Sequence, residues 1–330
     1  MGGHALKNTY TERKTTDDFL RIGKEIQNKV LNDTGIETAI VKCYRNKTDH
    51  GDLDLLVKMS FEPKFNLNEY IQNTFKPNEM FNNGNVCSFD YEKFQIDFIK
   101  ISEESWNVAQ TYFNYDCCGN IMGKTFHKFG LSYGWDGLYY KFRNFNGVNS
   151  HNILLTNNSE KIFGFGGYDY ERYLKGFDNL VEIFDFCIGS KYFDSEMFKI
   201  ENLNHIDKKR NRKRGSYNLF LNYLKDNDIY TKFIFEKNKD SYLETINICF
   251  PEAKLNERLQ ELKEEDRLNK VVTQKFNGDM VMMWLPDLQG QELGKAMGKF
   301  KQSLGDDYRE FIINSSFDII YEHFMKVYNG

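Results

Sequence analysis

Gly51-Asp52-Leu53-Asp54-Leu55-Leu56-Val57 and, further along, Phe94-Gln95-Ile96-Asp97-Phe98-Ile99 are the stretches that decide how this chain is read. Side chains on a strand alternate faces, so Asp52 and Asp54 project from one side while Leu53 and Leu55 project into an apolar interior. Asp97 repeats that logic as one acid inside a second apolar strand. If the two strands are neighbours in one sheet, three carboxylates converge at one surface, and their repulsion calls for a cation. Two magnesium ions meet that need, with manganese as a substitute. The bland alternative, strand-end acids pointing to water, suits Asp226-Asn227-Asp228, a second D-x-D in a polar stretch. Only the first pair follows a glycine inside an apolar strand, where an unpaired charge is expensive.

Two ions about 4 Å apart activate a hydroxyl nucleophile and stabilise the leaving oxygen of an in-line phosphoryl displacement. In that reading Asp52 and Asp54 bridge the ions and Asp97 binds the nucleophile's metal. Asp97 is also suited to accept the proton of an attacking 3′-hydroxyl.

Around these strands the pattern is mixed. Thr15, Thr16, Asp17 and Asp18 open a helix whose apolar face is Phe19, Ile22, Ile26 and Val30, ending near Gly35. Residues 36–44 read as a strand, 45–50 as a polar loop and 52–59 as the partner strand. Residues 63–84 read as irregular; 85–91 and 94–101 read as a hairpin presenting Asp97. Residues 103–128 are helical with a break at Gly119, and 138–142 and 153–156 are short strands. Helices follow at 159–163, 171–188, 216–224, 255–267 and about 291–304. Glycines 290, 294 and 298 give the last of these one smooth face.

Composition excludes several classes. Forty per cent hydrophobic and 28% charged residues describe a globular chain, and a net charge of −4 argues against a bulk nucleic-acid coat while leaving room for a local basic groove. The six cysteines show no paired C-x-x-C spacing, so neither a zinc ribbon nor a disulfide framework is implied, and a reducing, cytoplasmic setting is expected. No apolar run is long enough to span a bilayer and no signal peptide opens the chain, so no membrane partner is expected. No obligate protein partner is evident.

These motifs, in this order, resemble the DNA polymerase β-like nucleotidyltransferase superfamily, closest to the family X polymerase palm and thumb. Cys43-Tyr44-Arg45-Asn46-Lys47 before Gly51-Asp52-Leu53-Asp54 resembles the family's Ser-Tyr-Arg-Arg-Gly-Lys before Gly-Asp-x-Asp, with a loop one residue shorter. Tyr112-Phe113, Asn120, Gly130-Leu131-Ser132-Tyr133 and Gly137-Leu138 resemble its passage from palm to thumb. Ser159-Glu160-Lys161-Ile162-Phe163 with Tyr168 resembles a thumb motif. The resemblance covers about residues 36–175, and it departs where the family's Gly-Ser turn is replaced by Lys42-Cys43.

The resemblance implies an α/β (α+β) fold: an N-terminal helix at 1–35, a palm with a mixed sheet and flanking helices at 36–130, a thumb-like segment at 131–200, and an α-rich C-terminal domain at 201–330, a candidate nucleic-acid-binding region. It implies addition of nucleotides from a nucleoside triphosphate to a hydroxyl, the 3′ end of DNA or RNA, with release of pyrophosphate. Cys43, Tyr44, Arg45, Lys47 and Gly51 would line the triphosphate. Arg45 clasps phosphate oxygens and Lys47 adds a point charge, while Tyr112 and Phe113 would lie near the nucleotide sugar. The basic run Lys208, Lys209, Arg210, Arg212, Lys213 and Arg214 is a candidate track for a phosphate backbone, or a solvated linker. The alternative function is a non-catalytic nucleic-acid-binding module that kept the fold.

Overall fold

The computed structural model describes residues 4–59, 65–203, 205, 208–209 and 214–330. The first helix, α1 (Thr16–Thr34), forms where the pattern places it: the Thr15 hydroxyl accepts the Asp18 N–H, and Gly35 ends the helix in the left-handed region at φ 71°. Its buried face of Phe19, Ile22, Ile26 and Val30 packs on Leu53, Leu55 and Val57 of β4 (Asp52–Met59). One face of that strand is thereby committed to the core.

Strand β4 is an interior strand of a five-stranded sheet. Its neighbours are β2 (Thr38–Ile40) on one side and β7 (Phe94–Ser102) on the other, followed by β6 (Val86–Tyr91) and the edge strand β5 (Met80–Asn83). The β4–β7 pairing is parallel and the remaining pairings antiparallel, so the sheet is mixed and the fold is mixed α/β. A two-stranded ladder of β1 (Lys14–Thr15) with β3 (Asp49–His50) ties the polar loop to the start of α1. On the face away from α1, Leu56, Ile99 and Ile101 are covered by Trp106 and Ala109 of α3 (Trp106–Phe113).

Several expectations need correction. Of the expected strand 36–44, Thr38–Ile40 pairs with β4 and the Val41 N–H still donates to the Asp54 carbonyl at 3.0 Å, but from Lys42 the chain bonds elsewhere: the Lys42 N–H donates to Asn114 Oδ1 at 2.8 Å and the Lys42 carbonyl accepts from Tyr115 N–H at 2.7 Å. Residues read as irregular contain α2 (Leu67–Thr74), capped by Asn66, and β5. The helical break falls at Tyr115 and Asp116, with φ of 64° and 58°, and not at Gly119. Gly119 lies inside α4 (Cys118–Lys128), where an added Cβ would stand 2.3 Å from the Tyr112 carbonyl oxygen, so its role is close approach of two backbones. The single helix read at 171–188 is two, α6 (Tyr170–Leu174) and α7 (Leu180–Ile188), parted by Gly176 at φ 74°.

Three further strands, β8 (Leu131–Gly134), β9 (Gly137–Arg143) and β10 (Asn149–Thr156), form a second sheet, and α5 (Ser159–Gly166) follows with Asn158 as its cap. The chain groups into two compact units. One is 1–141 with 153–253; the other is 142–152 with 254–330. The second has its own core, in which Phe276, Val281, Phe300, Ile312, Ile320 and Phe324 come from helices spanning Leu255–Lys275, Gly278–Trp284, Gly290–Leu304, Tyr308–Asn314 and Phe317–Asn329, with Phe276 at the junction of the first two.

Candidate functional site: an acidic face on the mixed sheet

Parallel pairing of β4 with β7 brings Asp54 opposite Asp97 and Asp52 opposite Gln95. Because the strand period is two, these four side chains share the face opposite the core cluster of Leu53, Leu55, Phe94, Ile96 and Phe98. The antiparallel neighbour β6 adds Ser88 opposite Asp97 and Asp90 opposite Gln95. Further along, the same face turns apolar with Leu56, Ile99 and Ile101. The acids therefore sit at one end of a face whose other end is sealed.

Crowding of like charge away from water has the expected effect. Asp54 is half-buried, and burial, with the charges of Asp52 and Asp97, holds its carboxyl well above the usual carboxylate range; Lys47 pulls the other way. Burial pushes Asp97 up to about 6 against the hydrogen bond from Ser88, with Asp52 adding to the rise and Gln95 opposing it. The Gln95 Nε2 amide donates to both Asp97 oxygens at 3.0 Å. Asp116, in the turn between α3 and α4, adds negative field at Asp54 and accepts from Ser216 Oγ at 2.6 Å.

The preceding loop is held differently. Arg45 N–H donates to the Phe177 carbonyl at 2.9 Å and Asn46 N–H to that of Asp178 at 2.8 Å. The Arg45 guanidinium pairs with the Asp178 carboxylate and donates to the Lys175 carbonyl. Lys47 Nζ lies 3.7 Å from Cys43 Sγ, and its charge reaches Asp54. Burial raises the Cys43 thiol, against Lys47. His50 is buried and stacked on Phe19 at 3.9 Å, and burial lowers it to about 4, with the Lys47 charge reinforcing the fall. Tyr44 and Gly51 are half-buried beside these residues.

Tyr112 and Phe113 end α3. The Phe113 ring packs on the apolar end of the acidic face, whereas Tyr112 turns to Tyr133 at 5.2 Å. The two rings meet edge to face, with centroids 5.3 Å apart. Lys208 donates to the Glu201 carbonyl at 3.0 Å, Lys209 is exposed, and Arg214 precedes the helix Gly215–Asp226; Arg210, Arg212 and Lys213 lie outside the described residues. Beside α3, Lys42, Gln110, Asn114, Ser159 and Tyr170 line a polar cavity of about 470 Å³ that none of the three acids borders.

Among the described residues, no three His, Cys, Asp or Glu side chains already close around a point that could hold a metal ion. The donor set and its charge balance nevertheless fit a hard cation: carboxylate oxygens are the ligands such ions take, and a cation would offset the burial and like-charge repulsion that raise Asp54 and Asp97. A cation held by both Asp97 oxygens would displace the Gln95 amide that now donates to them.

Two participants were not singled out from the sequence. Gln95 carried a usable signal, since it stands two residues before Asp97 and shares its face. Asp116 carried none, because its place depends on a left-handed turn made without glycine.

No family model matches this chain, and no curated protein matches it. Among solved structures it is similar to a ternary P/T complex of Leishmania infantum polymerase beta, with TM-score 0.35 and 13% identity over 46% of this chain and 72% of that one. It is also similar to a ternary gap complex of Leishmania infantum polymerase beta, with TM-score 0.33 and 14% identity over 40% of this chain and 52% of that one. The second match spans about half of that chain's length. Overlap at this level leaves the chemistry to be read from the residues themselves. No helix among the described residues is long and apolar enough to cross a membrane.

Proposed function

We propose that the protein is a metal-dependent nucleotidyltransferase whose centre is Asp52, Asp54 and Asp97. The observation that carries this reading is the register of two parallel strands, which sets Asp54 against Asp97 with Asp52 on the same face. Asp52 and Asp54 would hold two magnesium ions jointly, and Asp97 would hold the one nearer the attacking hydroxyl. Bound there, the ions supply charge neutralisation for an in-line displacement at phosphorus. The new bond joins the hydroxyl oxygen to the α-phosphorus of a nucleoside triphosphate, and the bond to the bridging oxygen breaks to release pyrophosphate.

Asp97, once free of Gln95, takes the hydroxyl proton at a carboxylate oxygen. Lys47 steadies the triphosphate as the cation closest in effect to Asp54, and Arg45 joins it by exchanging Asp178 for phosphate oxygens. The hydroxyl belongs to the 3′ end of DNA or RNA, and Lys208, Lys209 and Arg214 give its backbone a basic track. Neutralising those three should flatten the salt dependence of oligonucleotide binding by roughly one to three units of log–log slope; an unchanged slope assigns them to a linker.

A second reading has its own support. Gln95 occupies both Asp97 oxygens, and Arg45 is committed to Asp178 and Lys175, so both groups spend their bonds inside the protein. That arrangement suits a nucleic-acid-binding module without catalysis. Magnesium-dependent incorporation of labelled nucleotide into a primer, measured for wild type and Asp97→Asn, separates the two. Catalysis predicts a loss of about a hundredfold or more in the variant, whereas oligonucleotide binding with no incorporation by either protein supports the module.

A further inference from the structure

The orientation of Gln95 is set from outside the acidic face. Its Oε1 accepts the backbone N–H of Ala5 at 2.9 Å, so its nitrogen end is the end turned to Asp97. A flipped amide would place oxygen against a carboxylate and NH₂ against an N–H, and both contacts would be lost. An amide nitrogen 3.0 Å from each Asp97 oxygen stands on the plane bisecting the carboxylate, where a cation shared by both oxygens would also stand.

Ala5 belongs to a strap that is itself clipped down. The Glu79 carboxylate accepts the N–H groups of Lys7, Asn8 and Thr9 at 2.7 to 3.1 Å, and Leu6 between Ala5 and Lys7 is buried. Glu79 is fixed in turn, because its own N–H donates to Asp90 at 2.8 Å, and Asp90 also receives Asn78 Nδ2 at 2.7 Å. Hydrogen bonds at both ends, joined by the backbone from Ala5 to Lys7, thus link the turn before β5 through the strap and Gln95 to Asp97.

We propose that residues 5–9 form a latch on the acidic face: closed, they aim the Gln95 amide at Asp97; released, they let Gln95 turn away and leave Asp97 to a cation. This rests on the metal-centre reading above and adds to it a control that acts through Gln95, a positioning residue. The closed latch and the cation compete for the same carboxylate, so apparent metal affinity falls by the fraction of molecules that are closed. Cation binding should therefore loosen the strap, because two competitors for one site weaken each other reciprocally.

The test is calorimetric titration of magnesium chloride alone into the full chain, for wild type, Glu79→Ala, Ala5→Pro and Asp97→Asn. Glu79→Ala unclips the strap and Ala5→Pro removes the one N–H given to Gln95, so the second serves if the first folds poorly. Both should bind magnesium about tenfold more tightly than wild type, and magnesium should speed amide hydrogen exchange of residues 5–9 in wild type. Magnesium binding that is lost in Asp97→Asn yet equal in wild type, Glu79→Ala and Ala5→Pro would overturn the latch and leave the metal centre standing. No magnesium binding by wild type or either latch variant, or binding unaltered in Asp97→Asn, overturns the metal centre and the latch with it.

Discussion

The acidic face and the loop that leads into it are adjacent in sequence and built in opposite ways. Asp52, Asp54 and Asp97 stand on paired strands, where the ladder fixes each side chain and brings three carboxylates together. The loop from Lys42 to His50 joins other strands only at its end and is held by remote groups: Lys42 by Asn114 and Tyr115, Arg45 by Phe177 and Asp178, and Lys47 and Thr48 by Thr16. In the loop Arg45 pairs with Asp178 and Asp49 with Arg13, whereas Asp54 and Asp97 are crowded by like charge and both are raised. A rigid face that crowds like charges is one where a cation would lower the energy, whereas the loop ties Arg45 to Asp178 and leaves the Lys47 charge acting on Asp54.

The largest expected effect bears on the acids alone. Asp97 is raised in the folded state, so its contribution to stability is fully present below its unfolded value near 4 and is lost as pH rises through about 6. Without metal, Asp97→Asn should therefore equal wild type near pH 4 and exceed it at pH 7 by up to about 3 kcal/mol in urea unfolding. His50, lowered to about 4, acts in the opposite sense: its contribution is present above about 6.5 and lost as pH falls towards 4. The two proteins are accordingly compared at each pH, so that His50 cancels. A variant no more stable than wild type at pH 7 would erase the contrast between face and loop.

A smaller effect divides the loop itself. Lys47→Ala should raise KM for a nucleoside triphosphate about tenfold, the scale of one lost charge-assisted contact. Arg45→Ala breaks a half-exposed ion pair, so unfolding should register a loss below about 1 kcal/mol, with a KM change smaller than that of Lys47→Ala. A rise in KM for Arg45→Ala reports the exchange of Asp178 for phosphate oxygens; an unchanged KM would leave Arg45 to its ion pair alone.

Much of this architecture was legible in the residues. The cap at Thr15, the apolar stripe of α1, the alternation in β4 and the hairpin of β6 and β7 are local patterns whose periods declare the element and its buried face. Short elements escaped. Leu67–Thr74 has few apolar positions to set a period, and the strand expected at 36–44 was shortened by bonds to residues far along the chain. Gly119 misled because a glycine that breaks a helix and one that lets two helices touch look alike in sequence.

By itself the sequence determined which acids stand on apolar strands and which face of each strand they share, because alternation along a strand is a local property. Only the tertiary structure decided that β4 and β7 are parallel neighbours in a register that brings Asp54 against Asp97, that Arg45 is spent on Asp178, and that Ala5 reaches Gln95. Those pairings join residues far apart in the chain. No local period encodes them, because each depends on which distant segments the folded chain brings side by side.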